Sequence, residues 1–75
     1  MTDLGAEDVK LVTLAKAARS RVTAQQGAAV RDTTGRTYAS ANVNRPGLNL
    51  SAVELAVGQA FASGATGLEA IVLCS

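Results

Sequence analysis

Apolar side chains at Leu11, Ala15, Ala18 and Val22 recur at steps of four, three and four, which predicts a helix over residues 3–22 with one buried face. Leu14 widens that stripe. Asp3, Glu7 and Asp8 stand near its start and Lys16, Arg19 and Arg21 toward its end, an order that complements the helix macrodipole. Gly5 weakens the first turn and moves the expected start toward Ala6.

The pattern then changes period. Residues 27–30, made of small side chains, read as a short strand, and residues 36–43 as a second one in which Ala39, Ala41 and Val43 share a face. Asp32-Thr33-Thr34-Gly35 between them is turn chemistry, so the two strands form a hairpin. Asn44-Arg45-Pro46-Gly47 reads as a loop that ends the extended run.

Ser51-Ala52-Val53-Glu54 has the capping-box form, and Gly64 sits where a left-handed helix terminus belongs. Between these ends Val53, Leu55, Ala56, Val57, Ala60, Phe61 and Ala62 leave almost no polar face, which predicts a helix covered on more than one side. The nearly continuous apolar run at 68–74 suits a strand buried on both faces. A strand, a crossover helix and a second strand make a βαβ unit. The expected fold is therefore an α/β unit of order α-β-β-α-β with a small mixed three-stranded sheet, one domain over residues 1–75.

Bulk properties narrow the function. A chain of 75 residues buries only about 60–65% of its unfolded surface, so its stability alone is marginal and a disulfide, a metal or a partner would help. Cys74 is the single cysteine, which removes an internal disulfide. Seven basic and six acidic residues give a net charge of +1, with no electrostatic case for nucleic acid or anionic lipid. The apolar runs are too short to span a bilayer, and the acidic start lacks the features of a signal peptide. The expectation is a cytoplasmic protein with a reduced thiol.

Gly27-Ala28-Ala29-Val30, the turn ending at Gly35, Tyr38, Asn42-Val43 and Gly47-Leu48 fall in an order that resembles the first half of the cytidine deaminases. The likeness covers nearly all of this chain but only about half of a complete deaminase domain. It implies a zinc-carrying second helix. Zinc deaminases use one Cys or His on that helix and two cysteines from a Pro-Cys-x-x-Cys motif, with a glutamate two residues after the first ligand as proton shuttle. Aligned through Gly47 and Gly64, Ser51 takes the ligand position and Val53 the shuttle position. A slip of one residue puts Glu54 at the shuttle and Ala52 at the ligand. No histidine occurs in the chain and the paired cysteines are missing, so neither zinc nor another cofactor is expected and the chain is not expected to be an enzyme. A helix cap is the simpler reading of Ser51 and Glu54.

The resemblance also implies substrate contacts. The family's Asn-Val-Glu-Asn segment places an asparagine and a glutamate near the ribose, where this chain has Asn42 and Asn44, and the family's aromatic residue before the first strand aligns with Ala24. Nucleoside binding at Asn42 and Asn44 is kept as an alternative, with no binding the leading expectation. Ser-His and Cys-His pairs cannot be assembled without histidine, while Ser20, Ser40, Ser51, Ser63 and Ser75 can be matched on paper with Lys10 or Lys16. Gly64-Ala65-Thr66-Gly67 follows a helix rather than opening one and reads as a structural turn.

The leading expectation is a non-catalytic, deaminase-like structural or interaction module. It would act as a homo-oligomer, a dimer or tetramer, or with a larger protein partner, and without nucleic acid or membrane. A fragment of a longer deaminase-like protein is the other alternative. The expected interface draws on Leu55 and Phe61 of the helix at 52–63 or on Ile71 and Leu73 of the last strand, since an apolar edge strand invites pairing.

Overall fold

The computed structural model describes residues 6–22 and 24–75, with side chains from residue 8 onward and Thr23 excepted. The readings at Asp3, Gly5 and the Glu7 side chain lie outside the described residues. In chain order the elements are α1 (Ala6–Arg21), β1 (Gly27–Asp32), β2 (Thr37–Ala41), β3 (Val43–Arg45), β4 (Leu48–Leu50), α2 (Ala52–Ala62) and β5 (Leu68–Cys74). None of the described helices is long and apolar enough to cross a membrane.

Three strands form the main sheet in the order β2-β1-β5, with α1 on one face and α2 on the other. Strand β1 is central and therefore needs small or apolar residues on both sides. Ala28 and Val30 pack with Ala52, Ala56 and Ala60 of α2, whereas Ala29 packs with Leu11 and Ala15 of α1. The alanines at 52, 56 and 60 are one turn apart, and with only a methyl group each they let α2 lie close to the sheet. At Gly27 the approach of α1 is closer still: a β-carbon there would be 2.0 Å from the Ala15 carbonyl oxygen.

Both ladders, β1 with β2 and β1 with β5, are antiparallel. The expected mixed sheet is thus antiparallel in every pairing. Strands β2 and β5 run parallel to each other, but β1 lies between them, so the crossover through α2 spans a strand. In the β1–β5 ladder Arg31 pairs with Ala70 while Asp32 pairs with Leu68, which leaves Glu69 as the extra residue of a bulge. Beyond it Leu68 joins the α2 side, whereas Ala70, Val72 and Cys74 stay on the α1 side.

Five further expectations are corrected. The strand read over 36–43 is divided at Asn42 into β2 and β3, and the segment read as a loop forms a β3–β4 hairpin with Val43 opposite Leu50 and Asn44 opposite Asn49. Pro46-Gly47 makes its turn, with Gly47 at φ +80°. Past Leu68, strand β5 is covered on one face only among the described residues, because α2 packs over β1 and β2, and Ile71 and Leu73 are half exposed. For the same reason α2 is covered on one side, and Phe61 remains 49% exposed. Val22 falls in the turn after Arg21 and is exposed rather than part of the buried stripe.

The helix ends behave as their residues dictate. Ser51 Oγ accepts from the Glu54 backbone N–H at 3.0 Å, and a Glu54 carboxylate oxygen accepts from the Ser51 N–H at 2.8 Å. At the other end Gly64 takes φ +101°, and the Ala65 N–H reaches back to the Ala60 carbonyl while that of Gly64 reaches Phe61, the Schellman arrangement.

Candidate functional site

The N-terminus of α2, the β2–β3 junction and the segment before β1 meet around a cleft of about 390 Å³. Its walls are Gln25, Gln26, Asn42, Asn44, Asn49, Leu50, Ser51 and Glu54. Five side-chain amides, a hydroxyl and one carboxylate surround a single aliphatic side chain. Such a lining offers hydrogen bonds in both senses but little apolar surface on which a ring could rest.

The side chains of Asn42, Ser51 and Glu54 are tied into the fold. Asn42 Oδ1 accepts from the Gln26 N–H at 2.9 Å, and the Asn42 N–H donates to the Gln26 carbonyl at 3.3 Å, so this asparagine joins the segment before β1 to the end of β2. Glu54 is held by the cap. The donated Ser51 backbone N–H, followed by the Ser51 hydroxyl, keeps its carboxyl below the usual carboxylate range. Asn44 is exposed on the β3–β4 hairpin.

The structure therefore brings together Asn42, Asn44, Ser51 and Glu54. Ala24 lines an adjoining cleft of about 370 Å³ that shares Gln25, Asn42 and Asn44 with the first. Gln25, Gln26 and Asn49 escaped the sequence reading. The signal for Asn49 was present: Pro46-Gly47 between Val43 and Leu50 is hairpin chemistry, which places Asn49 beside Asn44. The two glutamines lie in irregular chain and carry no periodic signal.

Elsewhere, Lys16, Arg19, Ser20, Ala24 and Cys74 line a cleft of about 500 Å³ at the end of α1. Lys16 and Ser20 thus share one cleft, but no hydrogen bond joins them. An Arg19 guanidinium nitrogen lies 3.7 Å from the Cys74 sulfur. A third polar cluster sits at the β1–β2 turn. There Asp32, 2% exposed, accepts at Oδ1 from the Thr34 hydroxyl and from the backbone N–H groups of Thr34 and Arg36, at 2.7–2.9 Å. The Tyr38 hydroxyl donates to Oδ2 at 3.3 Å. These bonds, the Thr34 hydroxyl foremost, hold the Asp32 carboxyl below its ordinary range.

A layered α/β/α unit with a polar cleft at the capped start of its second helix matches a known family over almost its whole length. The chain belongs to the cytidine deaminase-like family, whose model matches residues 4–75. No curated protein and no solved structure gives a significant match.

Membership raises the question of zinc. At the two aligned positions, the Ser51 hydroxyl caps the helix and Val53 packs against the core between α2 and the sheet. Cys74 lies on the opposite face of the sheet, in the cluster under α1. Among the described residues no three Asp, Glu, Cys or His side chains converge. This donor set does not fit a zinc ion, which in such sites needs thiolate or imidazole ligands.

Proposed function

We propose that the chain is a non-catalytic cytidine deaminase-like module that acts as an oligomeric structural or interaction protein. The observation that carries this reading is the position of Val53. Where the family resemblance puts a proton-shuttling carboxylate, this chain has a partly buried aliphatic side chain packed against the core cluster of Ala52 and Ala56. The neighbouring Glu54 is turned into the cap instead. Half-exposed Phe61, Ile71 and Leu73 and half-buried Leu55 supply apolar surface for another protein chain. The single thiol suits a reducing, cytoplasmic setting.

The test is elemental analysis and a cytidine-to-uridine assay on the purified chain after zinc addition. The expected result is no stoichiometric zinc and no turnover. One zinc per chain with sustained turnover would overturn the reading. Ser51→Cys with Val53→Glu is expected to leave the chain inactive, since the remaining ligands are still missing.

A second reading, weak nucleoside binding, draws support from the convergence of Asn42 and Asn44 on one cleft. Calorimetric titration with cytidine or uridine decides between them. The leading reading expects no heat of binding, and a signal abolished by Asn42→Ala would favour the second.

A further inference from the structure

We propose that the outer edge of β2 takes an extended, acid-flanked segment of another protein as a further antiparallel strand. The inference rests on the reading of the chain as an interaction module and names the surface and the chemistry of its partner.

The β1–β2 ladder fixes which backbone groups are open. The Asp32 N–H donates to the Arg36 carbonyl at one end and the Asn42 N–H to the Gln26 carbonyl at the other, so both closing pairs are hydrogen-bonded ones. Such pairs alternate along an antiparallel ladder. With Val30 opposite Tyr38 and Ala28 opposite Ser40, it is Tyr38 and Ser40 whose backbone groups face β1. Thr37, Ala39 and Ala41 therefore direct their N–H and C=O groups outward, and among the described residues no strand lies on that side. The chain on either side of β2 is committed elsewhere, to the turn with β1 and to the β3–β4 hairpin. The strand carries no proline, charge or bulge of its own that would blunt its edge. An extended chain satisfies such a row of donors and acceptors.

Side chains define the partner. Beside the start of β2, a cleft of about 470 Å³ is lined by Val9, Lys10, Thr13, Leu14, Gly35 and Thr37. Leu14 and Ala39 both pack against the cluster under α1, which makes the floor of this flank aliphatic. Lys10, Leu14 and Arg21 stand at steps of four and seven and so share one side of α1. Arg36 immediately precedes β2, and Arg45 lies on β3 beyond its other end. Four exposed cations thus surround the edge. Among the described residues none of the four is in an ion pair: Asp8 and Glu69 are bonded to Arg31, Asp32 to the donors of its own turn and Glu54 to the helix cap. A segment of alternating aliphatic side chains with acidic residues at its ends complements both the cleft and its rim. A second copy of this chain would bring the same cations to the seam, which disfavours it as occupant.

Fluorescence anisotropy and amide exchange with a synthetic peptide test the pairing. The probe alternates valine and threonine between terminal glutamates, and its controls carry terminal lysines or N-methyl groups on successive amides. The expected results are binding of the glutamate-flanked peptide that weakens as salt is raised, and slowed exchange at Thr37, Ala39 and Ala41 in the complex. The lysine-flanked peptide should bind more weakly and the N-methylated one not at all. Ala39→Pro removes an outward N–H while sparing the bonds to β1 and should abolish binding, with circular dichroism confirming the fold; the N-methylated peptide makes the same point without altering the chain. Lys10→Glu combined with Arg36→Glu should reverse the preference between the two charged peptides. No binding, equal binding of the charged peptides, binding kept by the N-methylated one, or protection confined to residues outside 37–41 would overturn the proposal. Slowed exchange at the three amides through self-association of the chain alone would also overturn it, giving the edge to a second copy. Zinc content and deamination are measured on the same samples: a zinc-free, inert chain that ignores the peptide sinks the pairing alone, whereas a zinc-loaded, active protein sinks the reading on which it rests.

Discussion

Gly27 lies directly beneath the Ala15 carbonyl, so close that a β-carbon at residue 27 would stand 2.0 Å from that oxygen and 2.8 Å from the Arg19 β-carbon. The obstructing atoms are mostly helix backbone and cannot rotate away. Gly27→Ala must push α1 off the sheet and loosen the layer formed by Leu11, Ala15 and Ala29. The expected cost is at least about 1–3 kcal/mol, the range for overpacked cores. Urea denaturation of the two proteins measures it, and an unchanged midpoint would show that α1 does not sit this close.

The cap of α2 gives a second expectation. Ser51→Ala removes the acceptor for the Glu54 N–H and should cost about 1 kcal/mol. The carboxyl of Glu54 is held below its unfolded value by the Ser51 amide and hydroxyl. A lowered folded value means that its contribution is present above the unfolded value and is lost as pH falls through the folded one. Glu54→Gln should therefore flatten part of the acid branch of the stability curve while leaving neutral stability less affected than Ser51→Ala does. Denaturation across the acid range reads both effects.

Asp32 has more bonds to lose. Its carboxylate ties the β1–β2 turn together through Thr34 and Arg36 and reaches the Tyr38 hydroxyl. Because its folded value is also lowered, its stabilisation holds above the ordinary carboxylate range and fades as acid is added below it. Asp32→Ala should destabilise the chain at neutral pH and remove this fading. Thr34→Val, which deletes only the hydroxyl donor, should do part of the same. If Asp32→Ala retained the full acid sensitivity of the parent, the turn would not be its source.

The β3–β4 hairpin depends on one backbone angle. Gly47 at φ +80° follows Pro46, a combination that a side chain at 47 opposes. Gly47→Val should cost about 1–2 kcal/mol locally and disturb Asn44 and Asn49 before it disturbs the main sheet. Amide exchange resolves this: faster exchange at residues 43–50 with β1 unaffected is the expected outcome.

These cases also show what sequence can and cannot disclose. The two helices and the β1–β2 hairpin were legible because their signals are local: the steps of Leu11, Ala15 and Ala18, the Ser51–Glu54 box, and Gly35 and Gly64 at positive φ. The antiparallel placement of β5 beside β1 was not legible, since an apolar run states that a strand is buried without stating by what. The same run overstated the burial of Ile71 and Leu73, which depends on the lateral position of α2. Of the cleft, Asn42, Asn44, Ser51 and Glu54 could be named from motif order. Gln25, Gln26 and Asn49 became visible only when irregular chain and a hairpin were seen to converge.

The bulge at Glu69 has a consequence for how the last strand tolerates change. Strand side chains alternate with a period of two, so one additional residue shifts everything on one side of it by half a cycle. Here that shift hands Leu68 to the layer under α2 while Ala70, Val72 and Cys74 keep theirs under α1. Deleting Glu69 would therefore alter the strand's phase more than its length: either Leu68 would turn away from the layer under α2, or the three residues beneath α1 would turn outward together.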